Sequence, residues 1–226
     1  MQKELFRNDS YLKTCSSKII EILDEGLVLD NNVFYPEGGG QPGDVGNIKY
    51  DNKTFEIINT KYIDKKIVLC LESTEGFNLN QEMICEINWT RRFSIMQVHT
   101  CLHLLCSIIK APVTGGQISE GKGRLDFDLE SKPDKEFVIE NINKLIKGNF
   151  DVKVSSITEE ELDKNPELVR TMAVKPPRGS GQIRMIKIGD NIDFQPCGGT
   201  HVNKTSEIDH VKSVKIENKG KMNKRI

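Results

Sequence analysis

Four side chains with metal-ligand chemistry stand out by type and spacing. His99 and His103 lie four residues apart in Met96-Gln97-Val98-His99-Thr100-Cys101-Leu102-His103-Leu104-Leu105. Cys197 and His201 lie four apart in Gln195-Pro196-Cys197-Gly198-Gly199-Thr200-His201-Val202. Residues four apart on a helix share a face, so the two imidazoles of the first pair can reach one ion together. Zinc takes Cys sulfur and His nitrogen in tetrahedral sets built from such short local pairs. The chain has only four histidines, and His210 alone falls outside these motifs.

A zinc ion lowers the pKa of bound water from about 15.7 to about 7, supplying hydroxide for attack on an acyl carbon. With all four residues bound the ion would be saturated, so catalysis needs one loosely held ligand or a fifth position. Thr100 rather than Glu follows the first histidine, so the His-Glu-x-x-His arrangement of metalloproteases is absent. An ester demands less help than a peptide. Gly198 and Gly199 could offer amide N–H groups to a developing oxyanion.

The elements that position these groups read as two halves. Residues 15–23, 27–29, 48–50, 54–58, 67–71 and 83–89 are β-branched and apolar runs separated by turn residues. That spacing predicts a small closed or nearly closed β-barrel, which periodicity alone does not separate from a sandwich. Within it lies Phe34-Tyr35-Pro36-Glu37-Gly38-Gly39-Gly40-Gln41-Pro42-Gly43-Asp44-Val45-Gly46. No Gly-Lys-Ser/Thr follows, so this is not a P-loop; a turn between strands is the simpler reading and a ligand cradle the other. Cys15, Cys70 and Cys85 read as buried thiols.

From Thr90 the period changes. Ile95, Val98, Leu102, Leu105 and Ile109 form a helical stripe that ends before Ala111-Pro112, with His99, His103 and Cys106 on the face beside it. Cys106 is the rival ligand on that helix, although its position favours packing; Cys101 points away. Residues 124–129 alternate like a strand, with Asp126 and Asp128 on what reads as its wet face. A helix starts at residues 131–134, carries Val138, Ile142 and Leu145, and closes at Gly148. A strand over 152–157, a capping box at Thr158-Glu159-Glu160-Glu161, a helical turn from Pro166 and a strand over 183–188 follow. Arg178 lies in a cationic loop, Arg184 and Lys187 on the last of those strands, and Lys219 and Lys221 in a basic C-terminal stretch. A solvated surface is the default reading, and a phosphate-tracking one the alternative.

Composition frames the rest. The chain has 226 residues, 37% hydrophobic and 29% charged, with a net charge of −1. That is globular and not a general polyanion trap, so RNA contact requires local basic patches. No run is long and apolar enough to span a membrane and the start lacks a signal-peptide core, which together predict a cytoplasmic location.

Together the motifs resemble the editing domain of alanyl-tRNA synthetase and its freestanding relatives, the AlaX-type alanyl-tRNA editing proteins. The resemblance rests on His99-Thr100-Cys101-Leu102-His103, Cys197-Gly198-Gly199-Thr200-His201, Arg124-Leu125-Asp126-Phe127-Asp128 and the glycine-rich segment. Order and spacing agree along nearly the whole chain; Cys101 stands where the family commonly has a small residue such as alanine. The resemblance implies an α+β fold, with a β-barrel over residues 1–88 and an editing domain over 89–226 shared with threonyl-tRNA synthetases. It implies zinc at His99, His103, Cys197 and His201, and hydrolysis in trans of tRNA(Ala) mischarged with serine or, in some members, glycine. It also implies that Gly39, Gly40 and Gln41 face the editing cleft, and that Thr114 and Gln117 line the amino-acid pocket with Gly198, Gly199 and Thr200. Arg178, Arg184, Lys187, Lys219 and Lys221 would then contact RNA. No obligate protein partner is evident. A zinc-knit RNA-binding module without catalysis, and a small-molecule esterase, are the competing readings.

Overall fold

The computed structural model describes residues 2–172, 176, 178–179 and 181–226. It divides into two compact units, Met1–Ser94 and Ile95–Ile226, each with its own core.

The first unit contains β1 (Lys3–Glu4), α1 (Leu5–Asn8), β2 (Thr14–Leu23), β3 (Gly26–Leu29), β4 (Asn31–Asn32), β5 (Gly46–Tyr50), β6 (Lys53–Ile57), β7 (Asn59–Ile63), β8 (Lys66–Cys70) and β9 (Glu82–Ile87). Seven of these form one curled sheet in the order β6-β5-β9-β2-β3-β8-β7. The curl comes from β2, whose first half pairs with β9 and whose second half pairs with β3, with a register shift between Ile19 and Glu21. Asp51-Asn52 and Asp64-Lys65 take the positive φ that two-residue hairpins require, closing β5 onto β6 and β7 onto β8. Phe6, Ile19, Leu29, Phe34, Ile48 and Leu69 belong to one buried core.

Two expectations change here. Strand β7 is polar at Asn59-Thr60-Lys61, which hid it; Thr60 is nevertheless buried, its hydroxyl donating to Asp44 O at 2.9 Å. Trp89 opens a helix instead of ending a strand, because the Asn88 side chain accepts the Arg91 N–H and stops the sheet.

That helix, α2 (Trp89–Ile108), is the longest element. The second unit continues with β10 (Val113–Ser119), β11 (Lys122–Asp128), α3 (Lys135–Lys147), β12 (Val152–Thr158), α4 (Glu159–Lys164), β13 (Gln182–Ile188), β14 (Asp193–Pro196), β15 (Glu217–Gly220) and β16 (Asn223–Arg225). Two antiparallel sheets result, β10-β11-β16-β15 and β12-β13-β14. Helix α3 is capped by Asp134 and buries Val138, Ile142 and Ile146, not Leu145. The capping box at Thr158 and Glu161 is present as read. One face of β12-β13 packs Ile183 and Met185 on Leu162 of α4.

The C-terminal stretch is exposed at Lys212, Lys215, Lys219 and Lys221, as a solvated reading expects, but not at Lys224. Lys224 is 3% exposed, and its Nζ donates to the carbonyls of Leu129, Gly220 and Lys221. Nor is Asp126 on a wet face. It is buried and accepts from Arg225 Nε at 2.7 Å, Arg225 Nη2 at 2.9 Å and Arg124 Nη1 at 2.9 Å. Arg225 first, then Arg124, hold its carboxyl below the usual carboxylate range against burial.

Candidate metal centre

The two sequence pairs meet. Helix α2 turns His99 and His103 to one side, their ring centroids 5.4 Å apart. The chain leaving β14 brings Cys197 and His201 against them, with His201 centred 4.2 Å from His99 and 4.7 Å from His103. Cys197 Sγ lies 3.4 Å from His99 Nε2 and 3.3 Å from His201 Nε2. One ligand atom from each of the four residues falls within 4.8 Å of every other, a group that could hold a metal ion. The three imidazoles are buried, while Cys197 and Gly198 are half-buried residues.

The loop carrying the thiol is pinned from β13. Cys197 N–H bonds to Arg184 O at 3.2 Å, continuing the ladder past Pro196. Arg184 Nη1 then donates to Cys197 O at 2.6 Å and Gly199 O at 3.0 Å. Gly199 N–H points at Cys197 Sγ, 3.4 Å away, which takes that amide out of the oxyanion role. Behind the ligands, Asp193 Oδ2 sits 2.8 Å from His103 Nδ1, with Gln195 Nε2 donating to the same oxygen at 2.9 Å. Thr100 Oγ1 is 3.1 Å from His201 Nδ1 and accepts the Val202 N–H.

Burial alone would keep the Cys197 thiol protonated, but His99 and His201, with hydrogen bonds from the imidazoles, hold it well below the ordinary thiol value. Burial likewise opposes charge on His103, yet Asp193 and Cys197 push it up to about 10. His201 is held well below the ordinary imidazole value, by burial first and then by His99. Cys106 is the counterexample on the same helix: burial dominates and pushes it up to about 12, as expected of a packed thiol rather than a ligand.

The other residues singled out from the sequence are spread over both units. Thr114 sits at a register shift in β10 and donates to Asp126 O at 3.1 Å; Gln117 is exposed on the same strand. Thr200 is buried. In the first unit Gly39 and Gly40, at φ +59° and +83°, form the tip of a tight turn closed by reciprocal bonds between Gly38 and Gln41. Gln41 is buried below it. Arg178 pairs with Asp163, Lys187 with Asp190 and Lys219 with Glu217, all near the surface, and Lys221 is exposed. Asp193, Gln195 and Thr100 were missed by sequence reasoning. The signal available was their place beside the cluster: Asp193 and Gln195 alternate along β14 just ahead of Cys197, and Thr100 adjoins His99.

Residues 183–226 match the family model of the threonyl and alanyl tRNA synthetase second additional domain, and residues 7–91 match that of class II (A) tRNA synthetases. The alanyl-tRNA editing protein AlaX-M of Saccharolobus solfataricus is 32% identical over 236 residues, spanning 100% of this chain and 98% of its own. The chain belongs to the AlaX-M family of alanyl-tRNA editing proteins. The AlaX-M protein of Methanosarcina acetivorans is 31% identical over 240 residues, again across 100% of this chain and 98% of its own. The alanine--tRNA ligase of Pyrobaculum arsenaticum is 34% identical over 232 residues, 95% of this chain but 25% of the ligase. This AlaX-M chain thus aligns end to end with freestanding editing proteins and with one quarter of a synthetase.

Proposed function

We propose that this AlaX-M protein is a zinc-dependent hydrolase that cleaves, in trans, the ester of tRNA(Ala) mischarged with serine, sparing Ala-tRNA(Ala). The observation that carries the reading is the convergence of four potential ligand atoms within 4.8 Å, in a chain similar over its length to alanyl-tRNA editing proteins. The donor set fits zinc. From usual Zn–S and Zn–N lengths of about 2.3 and about 2.05 Å, a tetrahedral ion places neighbouring sulfur and nitrogen about 3.5 Å apart. Cys197 Sγ stands 3.4 and 3.3 Å from its two imidazole neighbours. When bound, zinc supplies Lewis acidity for an acyl oxygen and for water.

The chain's own groups supply the rest. Arg184 holds the Cys197–Gly199 backbone in place. Thr114 spends its proton on Asp126 O, which leaves oxygen lone pairs to accept a hydrogen bond from a substrate hydroxyl. A site that reads the serine hydroxyl leaves its own polar groups unpaired when alanine enters, and such sites discriminate by about 10⁴-fold or more. Glycine offers the same site no handle, so Ser-tRNA(Ala) is the main substrate and Gly-tRNA(Ala) a slower one. Gln117, Gly198 and Thr200 complete the amino-acid pocket in this reading. Lys187, Lys219 and Arg178 meet phosphates, since exposed ion pairs of their kind are weak enough to exchange, and Lys221 joins them from the surface. The curled sheet of the first unit is a barrel left open at one seam.

A second reading has a specific observation in its favour: four protein donors saturate a tetrahedral ion, as in a structural site. One assay separates them. Purified protein is offered Ser-, Gly- and Ala-charged tRNA(Ala), with its metal content measured; ester cleavage of the serine form supports the hydrolase, and binding without cleavage overturns it.

A further inference from the structure

We infer that Asp193 is a positioning residue of this centre: it fixes which nitrogen of His103 faces the other three ligands, with Gln195 holding Asp193 to that task. The inference rests on reading the cluster as a metal site.

A carboxylate only accepts, so the 2.8 Å contact between Asp193 Oδ2 and His103 Nδ1 requires the proton on Nδ1. That leaves the Nε2 lone pair for the ligand cluster. Gln195 secures the arrangement. Its Nε2 lies 2.9 Å from Asp193 Oδ2 and 3.1 Å from His103 Nδ1, and two N–H groups cannot bond each other, so its hydrogen goes to the carboxylate. Turning the amide round would set its oxygen against the carboxylate, so the network admits one orientation. Asp193 and Gln195 are 7% and 5% exposed, which keeps water from competing. His201 is served differently: its neighbour is the uncharged Thr100 hydroxyl, already accepting the Val202 N–H. Of these two imidazoles, His103 is the one with a charged partner. Outer partners of this kind typically change metal affinity by about 10- to 100-fold when removed.

The test is equilibrium Zn²⁺ affinity, read by competition with a chromophoric chelator, and the d–d absorption of the Co²⁺-loaded protein. Asp193→Ala should weaken zinc binding by about 10- to 100-fold and shift the cobalt bands. Asp193→Asn, which keeps an acceptor oxygen, should recover part of the loss, and Gln195→Ala should show a smaller loss in the same direction. In a His103→Ala background, adding Asp193→Ala should cost nothing further, because the residue acts through that imidazole. Zinc affinity unchanged in Asp193→Ala, or an equal loss with and without His103, overturns the inference. If Asp193→Ala does not fold, the Asn and Gln195 variants decide it by the same comparison. Wild-type protein that binds no zinc overturns the metal reading itself, a distinguishable result.

Discussion

Arg92 and Asp44, 48 positions apart, form a buried ion pair inside the first unit, and neither side chain is more than 2% exposed. Arg92 Nε reaches both carboxylate oxygens, at 3.0 and 2.9 Å, while its other nitrogens donate to Ser10 O and Val33 O. Asp44 also takes the Tyr35 N–H at 2.6 Å. The start of α2 thereby grips the end of the glycine-rich segment from below, which makes that segment a braced structure rather than a loose loop.

Removing one partner strands the other charge. Arg92→Met should cost about 3–5 kcal/mol of stability, measured by urea denaturation, and Asp44→Asn in the same chain should restore part of it. Equal stability of wild type and Arg92→Met would show that the pair is not desolvated as described.

Two glycines of the same segment should respond unequally to alanine. A Cβ on Gly43 would meet Thr60 O at 2.0 Å and Asn59 Oδ1 at 2.5 Å, so strand β7 must move. Gly39 has open space around it and only a positive φ to defend. We expect Gly43→Ala to lose about 3 kcal/mol or more and Gly39→Ala about 1, compared by thermal melting.

Arg184 and Lys219 were alike in the sequence as RNA contacts, yet their surroundings differ. Lys219→Ala should lower the slope of log affinity for tRNA against log salt by about 0.7–0.9, the loss of one phosphate contact. Arg184→Ala should leave that slope unchanged and instead reduce zinc affinity and the rate of ester cleavage, because it releases the Cys197 and Gly199 carbonyls.

Metal removal should be felt as lost stability. Ligand formation displaces protons and couples to folding, so a chelator should lower the melting temperature, and the zinc affinity should fall as pH drops below 7. Cys197→Ala protein should melt at one temperature with or without chelator.

Acid should loosen the C-terminal sheet. Asp126 is held below its ordinary pKa, so its contribution is present above about pH 4 and disappears as pH falls through the folded value. Arg225→Ala should cost about 1–2 kcal/mol at neutral pH. Asp126→Asn should flatten the acid limb of stability against pH.

The cluster of His99, His103, Cys197 and His201 was legible because its chemistry is local: two pairs spaced by four, with few histidines elsewhere. Strands β2, β3, β5, β6 and β8 were legible from apolar runs bounded by turn residues. What escaped was long-range pairing between polar groups. Thr60 sits in a strand because Asp44 O accepts its hydroxyl, and Lys224 is buried because three carbonyls surround its ammonium. Such residues read as surface until the fold supplies their partners. Gly148 closes α3 as read, but with ordinary helical φ, and Asn149 makes the left-handed step. The glycine is needed there because the Phe150 ring lies 2.2 Å from where its Cβ would be.

Strand β14 carries Asp193 and Gln195 on one face, and Cys197, two positions on, bonds back to β13 just past its end. In an extended chain, adding or deleting a single residue moves every side chain beyond it to the opposite face. A one-residue insertion between Asp193 and Cys197 would therefore part the thiol from the carboxylate and turn one of them toward the α4 side. Substitutions at Phe194 and Pro196 leave that count intact. Across descendants of this gene, the stretch should drift freely in spelling at those two intervening positions while its length stays frozen.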